Sequence, residues 1–134
     1  MFFNFKKKVK IKYKVSEGCE NFISKKLNSD NWMDLCSSET AIIPARSVQL
    51  IHTGVYVEIP EGYNMEISIR PEICFNNWIG LANGIEVIDS NSEKEITVLV
   101  VNYGLYGYTI KKGDKLLQAF VHKVPETFLI EDKT

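Results

Sequence analysis

Residues 48–70 read VQLIHTGVYVEIPEGYNMEISIR, and through most of this stretch apolar and polar side chains change places every second residue. Val48, Leu50, Val55, Val57 and Ile59 mark one run, and Met65, Ile67 and Ile69 mark a second. Between them Pro60-Glu61-Gly62-Tyr63 is a turn sequence, in which proline presets φ and glycine tolerates positive φ. Two runs of period two joined by a turn predict a β-hairpin with one wet face.

The same signal recurs on both sides of the hairpin. Phe5, Val9, Ile11, Tyr13 and Val15 interleave with the lysines of Lys6 to Lys14, so the basic run reads as the solvated face of a strand. Glu95 to Tyr103 is a nearly continuous β-branched run, the pattern of a strand buried on both faces. Tyr108-Thr109-Ile110, the turn Lys111-Lys112-Gly113-Asp114 and a last strand over Lys115 to Val124 follow. Only Glu20 to Leu27 reads as a short helix. Many short strands with turns between them predict one all-β domain over residues 1–134, a barrel or sandwich of the jelly-roll type.

Composition removes several function classes. With 134 residues and 45% hydrophobic content the chain is long enough for one core, and sixteen basic against seventeen acidic residues leave a formal charge of -1. That balance lacks the positive field for bulk nucleic-acid binding. No apolar run approaches the roughly 20 residues of a membrane-spanning helix. Phe2, Phe3 and Phe5 largely precede the first charges, the reverse of a secretory signal, so a cytoplasmic location is expected, in the host if the chain is viral. Cys19, Cys36 and Cys74 are odd in number and widely spaced, which predicts reduced, mostly structural thiols. His52 and His122 sit in alternating segments and read as half-buried strand residues, not metal ligands.

Four segments carry more than periodicity: Asp34-Leu35; His52-Thr53-Gly54-Val55 through Pro60-Glu61-Gly62-Tyr63; Gly84-Ile85-Glu86-Val87-Ile88-Asp89-Ser90; and Gly113-Asp114-Lys115-Leu116-Leu117-Gln118. In that order and at those separations, over roughly Asn31 to Val124, the chain resembles the trimeric dUTPases, deoxyuridine triphosphate nucleotidohydrolases. The resemblance implies a dUTPase-like jelly-roll, or β-clip, barrel assembled as a homotrimer. The dCTP deaminases, which share that fold, fit poorly: their catalytic glutamate falls near Leu99 and their paired Arg-Ser at Glu72-Ile73.

Carried over position by position, the resemblance assigns Asp34 of Asn31-Trp32-Met33-Asp34-Leu35 to the acid that organises magnesium. Asp89 takes the place of the carboxylate that activates water, and Asn83 that of a uracil contact. Gln118 takes the place of a residue near the phosphates. The motif PRSG, laid on Pro71-Glu72-Ile73-Cys74, loses its arginine and serine, and Glu72 is expected to pair with a lysine. The tyrosine under the deoxyribose becomes Ser92, which leaves room for a 2′-hydroxyl. The chain shows no Gly-rich arm after Gly113, so a domain without that arm is expected. Loss of one oxyanion donor costs ~10² to 10³ in rate. The expectation is therefore a pseudoenzyme that binds or sequesters a nucleotide-type ligand through Asn76, Asn77, Trp78, Asn83, Asp89, Asn91, Ser92 and Gln118, as a phage or viral decoy for a host signal, or that binds a protein partner. The alternative is an active dUTP or nucleoside triphosphate pyrophosphatase with a divergent magnesium-dependent site, in which Asp89 is the base, Asp34 serves the metal, and Gln118 with lysines holds phosphate.

Overall fold

A computed structural model describes residues 8–29 and 31–134. The expected contributions of Phe5, Lys6 and Lys7 lie outside the described residues. Eleven strands follow in chain order: β1 (Lys12–Val15), β2 (Ile23–Lys25), β3 (Trp32–Cys36), β4 (Ala41–Ile43), β5 (Val48–Glu58), β6 (Tyr63–Ile69), β7 (Ile79–Leu81), β8 (Glu86–Asp89), β9 (Glu95–Asn102), β10 (Tyr108–Ile110) and β11 (Lys115–Lys123). One helix among the described residues, α1 (Pro71–Asn77), lies between β6 and β7. The strands form a four-stranded sheet in the order β1-β5-β9-β7, a five-stranded sheet in the order β2-β3-β11-β6-β8, and the pair β10-β4. This is the all-β, jelly-roll architecture expected from the alternation. No helix among the described residues is long and apolar enough to cross a membrane.

The alternation translates into burial with one change of phase: Val48 and Leu50 lie on the outer face, whereas Val55, Val57 and Ile59 turn inward beyond the irregular stretch after His52. Ile51, Val55 and Val57 of β5, Met65, Ile67 and Ile69 of β6, Ile96, Val98 and Val100 of β9, and Leu117 and Ala119 of β11 turn inward to one shared core. Each buried branched side chain contributes about 1.5–3 kcal/mol of transfer free energy. Gly54 interrupts β5 at φ +67, and a Cβ there would stand 2.5 Å from the Cys19 Sγ, so no larger residue fits. The register of β5 against β9 shifts between His52 and Tyr56 around this point.

Three expectations change. Glu20 to Leu27 is not a helix: Asn21 at φ +67 breaks it, and Ile23-Ser24-Lys25 pair with β3 as an edge strand, burying Ile23 opposite Leu35. Eight residues cannot stabilise a helix alone, and a sheet edge satisfies their backbone instead. The helix that does form, α1, begins with Pro71 at its first turn, where the missing N–H costs nothing, and ends at Trp78 in the left-handed region. It buries none of its residues and so leaves no helical periodicity to read. Finally, β9 is buried on one face only. Ile96, Val98, Val100 and Asn102 point inward, whereas Leu99 is 43% exposed in the single chain. Leu50, opposite Leu99 on β5, is 49% exposed, and Val48 lies opposite Val101 on the same outer face.

Candidate functional site

Two groups of polar side chains occupy the five-stranded sheet, one towards each end. At the first, Asp34 on β3, Gln118 on β11 and Ser68 on β6 lie side by side in register and share the outer face. Asp34 is only 2% exposed. Its Oδ1 lies 3.5 Å from the Nε of Arg70, and its Oδ2 lies 3.7 Å from the Nζ of Lys115. The Arg70 Nη2 meets Glu72 Oε1 at 2.9 Å, so Glu72 pairs with arginine and not with the lysine expected for it. Lys26 Nζ donates to Gln118 Oε1 at 3.2 Å, and Gln118 Nε2 donates to Ser68 Oγ at 3.4 Å.

A buried carboxylate persists as a charge only beside cations, and Asp34 has two. Asp34 and Glu72 do not saturate the guanidinium: Arg70 Nε and Asp34 Oδ1 face each other without the alignment of a hydrogen bond. Three cations, Lys26, Arg70 and Lys115, stand here with Asp34 and Glu72, and Asp114 lies near enough to act on the neighbouring Cys36 thiol, so the cluster is close to neutral while Lys26 and Lys115 keep donors to offer an anion. Cys36, the last residue of β3, sits beside them, and burial pushes its thiol above the ordinary 9.0, with Lys115 pulling the other way. Cys19 is buried as well, whereas Cys74 is exposed on α1.

The second group gathers where β8 turns into β9. Asp89 ends β8 opposite Asn64 of β6 and is exposed. A cavity of about 300 Å³ beside it is lined by Asp89, Ser92, Lys94, Glu95, Thr97 and Glu86, among others. Asn91 stands in the turn at φ +70, and Asn83 donates from Nδ2 to Glu86 Oε2 at 3.1 Å at the far end of β8. Asn76, Asn77 and Trp78 are exposed at the end of α1 and do not line this cavity, and Trp78 is not a core residue of the single chain.

These groups do not meet within one chain. Asn64, beside Asp89, precedes Ser68, beside Gln118, by four residues of β6, about 13 Å at 3.3 Å per residue. From β8 to β3 there are three strand spacings, about 14 Å more across the sheet. Asp89 and Asp34 therefore stand roughly 20 Å apart, too far to act on one reacting atom.

Sequence reasoning missed Arg70, Lys26, Lys115 and Ser68 in this setting. Arg70 was the legible one: it is one of only two arginines, at the end of an alternating run and directly before a proline.

The family model described as dUTPase matches residues 21–132. The deoxyuridine 5′-triphosphate nucleotidohydrolase of Tropheryma whipplei strain Twist is 34% identical over 108 residues, covering 80% of this chain and 74% of the relative. The enzyme of the same name from Finegoldia magna is 40% identical over 74 residues, 55% of this chain and 52% of that one. Among solved structures, a mutant dUTPase from Staphylococcus aureus phage phi11, known for its coordination of a structural Mg(II) ion, superposes with a TM-score of 0.85 at 17% identity, over 93% of this chain and 97% of that one. The dUTPase of Staphylococcus phage 80alpha with dUpNHpp gives 0.84 at 17% identity, over 93% and 89%. At that identity the structures establish the fold.

Proposed function

Because the chain belongs to the dUTPase family, we propose that it is a dUTP or nucleoside triphosphate pyrophosphatase with a divergent site, one that retains more of the family's machinery than the sequence suggested. The observation that carries this reading is the Arg70–Asp34 pair. Laying PRSG on Ile69-Arg70-Pro71-Glu72, two residues earlier than expected, keeps the arginine, and it is this arginine that sits beside Asp34, Gln118 and Lys115. The serine is still replaced, now by Pro71.

In this reading the cations of this cluster bind the triphosphate. Arg70 presents planar donors, while Lys26 and Lys115 act as point charges. Asp89 takes a proton from water, whose oxygen bonds to phosphorus as the link to pyrophosphate breaks. Since Asp89 and the cluster are roughly 20 Å apart in one chain, a single substrate must span two copies. The outer face of Val48, Leu50, Leu99 and Val101 is the apolar surface on which copies can meet, which supports the homotrimer that the family resemblance implies. Asp34 fits poorly as a direct magnesium ligand, because both its oxygens already face cations. No group of three or more His, Cys, Asp or Glu side chains among the described residues forms a cage for the ion. Its oxygen ligands would then come chiefly from the phosphates of a bound nucleotide, whose charge it would offset.

One observation favours a second reading, in which nucleotide is bound and not cleaved: Ser92 lines the cavity beside Asp89 where the family carries tyrosine, leaving the sugar position open. Chromatography of the protein incubated with magnesium and dUTP, UTP or dCTP separates the two. Stoichiometric dUMP and pyrophosphate support hydrolysis. Intact nucleotide together with a raised melting temperature supports binding alone, and neither outcome would leave only a protein partner.

A further inference from the structure

The geometry points to Glu95 as a positioning residue for the turn that carries Asp89 and Ser92, with His52 as its side-chain partner. This rests on the hydrolytic reading above. Glu95 is the first residue of β9, six positions after Asp89, and its carboxylate bridges the irregular part of β5. Oε2 accepts the Gly54 N–H at 2.8 Å, and Oε1 lies 3.1 Å from His52 Nδ1. The adjoining Thr53 binds the same strand, donating from Oγ1 to the Ile96 carbonyl at 2.7 Å. The root of β9 is therefore fixed by side chains where the regular ladder lapses, between His52 and Tyr56.

Glu95 also lines two cavities. One is the 300 Å³ space beside Asp89 and Ser92. The other, about 380 Å³, is bounded by His52, Glu17, Glu39, Lys112 and Cys19. Glu17 from the loop after β1, Glu39 from the β3–β4 loop and Lys112 from the β10–β11 turn line this space with His52 and Glu95, and Glu39 Oε1 also accepts the His52 backbone N–H at 3.3 Å. His52 is thus held from its backbone by Glu39 and meets Glu95 with its ring, while the Gly54 N–H occupies the second oxygen of Glu95. Both carboxylate oxygens of Glu95 are fixed from β5, and with them the root of the turn.

The experiment compares the whole protein with His52→Asn and Glu95→Gln, which keep hydrogen-bonding capacity at both places. Rates on dUTP are followed together with melting temperatures and amide hydrogen exchange at Gly54 and residues 89–95, all at one pH. The expected result is a roughly ten-fold lower kcat for Glu95→Gln with KM within about three-fold, as misplacement of a reacting group produces. His52→Asn is expected to lower kcat in the same direction by a smaller factor. If the parent hydrolyses dUTP and both variants match it in rate and exchange, Glu95 positions nothing and the hydrolytic reading survives. If the parent hydrolyses nothing, that reading fails, and exchange decides the rest: faster exchange at Gly54 and residues 89–95 in Glu95→Gln than in the parent keeps the anchor, and equal exchange in all three proteins overturns it.

Discussion

The two ends of the five-stranded sheet are built on opposite principles. At the Asp34 end a carboxylate is taken almost entirely out of water, and Arg70, Lys115, Gln118, Ser68 and Lys26 are tied around it within one chain. At the Asp89 end the carboxylate is exposed, and the turn beyond it is anchored chiefly at its far root, Glu95. The first is preorganised at a cost in desolvation and is part of what holds the fold. The second costs the fold little and is free to complete itself against another chain. Substitutions at the Asp34 end should therefore be read first in stability, and those at the Asp89 end first in rate.

The largest expected effect is at the exposed end. Asp89→Ala removes the proposed base and should lower dUTP turnover by ~10² to 10⁴, while the melting free energy stays within about 0.5 kcal/mol of the parent, as for other surface substitutions. Single-turnover rates beside a denaturant titration test both halves. A large loss of stability would mean that the turn is a structural element after all.

Next is the buried end, where the two partners of one ion pair should not be equivalent. Arg70→Ala strands Asp34 in the interior with only Lys115 near it, at 3.7 Å, and should cost about 3–5 kcal/mol. Asp34→Ala leaves an arginine that still has Glu72 at 2.9 Å and partial access to water, and should cost distinctly less. The double variant should recover part of the Arg70→Ala loss, because no charge is then stranded. Equal single costs with simple additivity would show that the pair contributes packing alone.

The same contrast explains what the chain disclosed before folding. Alternation located β5, β6, β10 and β11 to within two residues, because each has a core face and a wet face in the single chain. It misjudged β2, whose three residues are placed by pairing with β3, and passed over α1, which buries nothing. The resemblance pointed to Asp34, Asp89 and Gln118 but not to Arg70, whose place beside Asp34 comes from the pairing of β3, β11 and β6. The partnership of His52 with Glu95 was beyond either kind of reading, because 43 residues separate them and only the β5–β9 pairing brings them together.

Strand β9 gives the finest test of the comparison. Its sequence reads as buried on both faces, but one chain covers only one of them, and the discrepancy is concentrated in Leu99, opposite Leu50. Leu99→Glu should change the stability of the isolated chain by no more than about 0.5 kcal/mol, the range of surface substitutions. In a symmetric assembly the same change places like charges on a shared apolar face, and light scattering should show the oligomer reduced to monomer. Turnover of dUTP should then fall although Asp34, Arg70, Gln118 and Asp89 are all intact, because the two ends of the sheet lie roughly 20 Å apart within one chain and, on the proposed reading, reach a common substrate only across copies. A monomeric variant that still released pyrophosphate at the parental rate would place the whole reaction at one end of the sheet, and the division between a rigid binding end and a free reacting end would have to be abandoned.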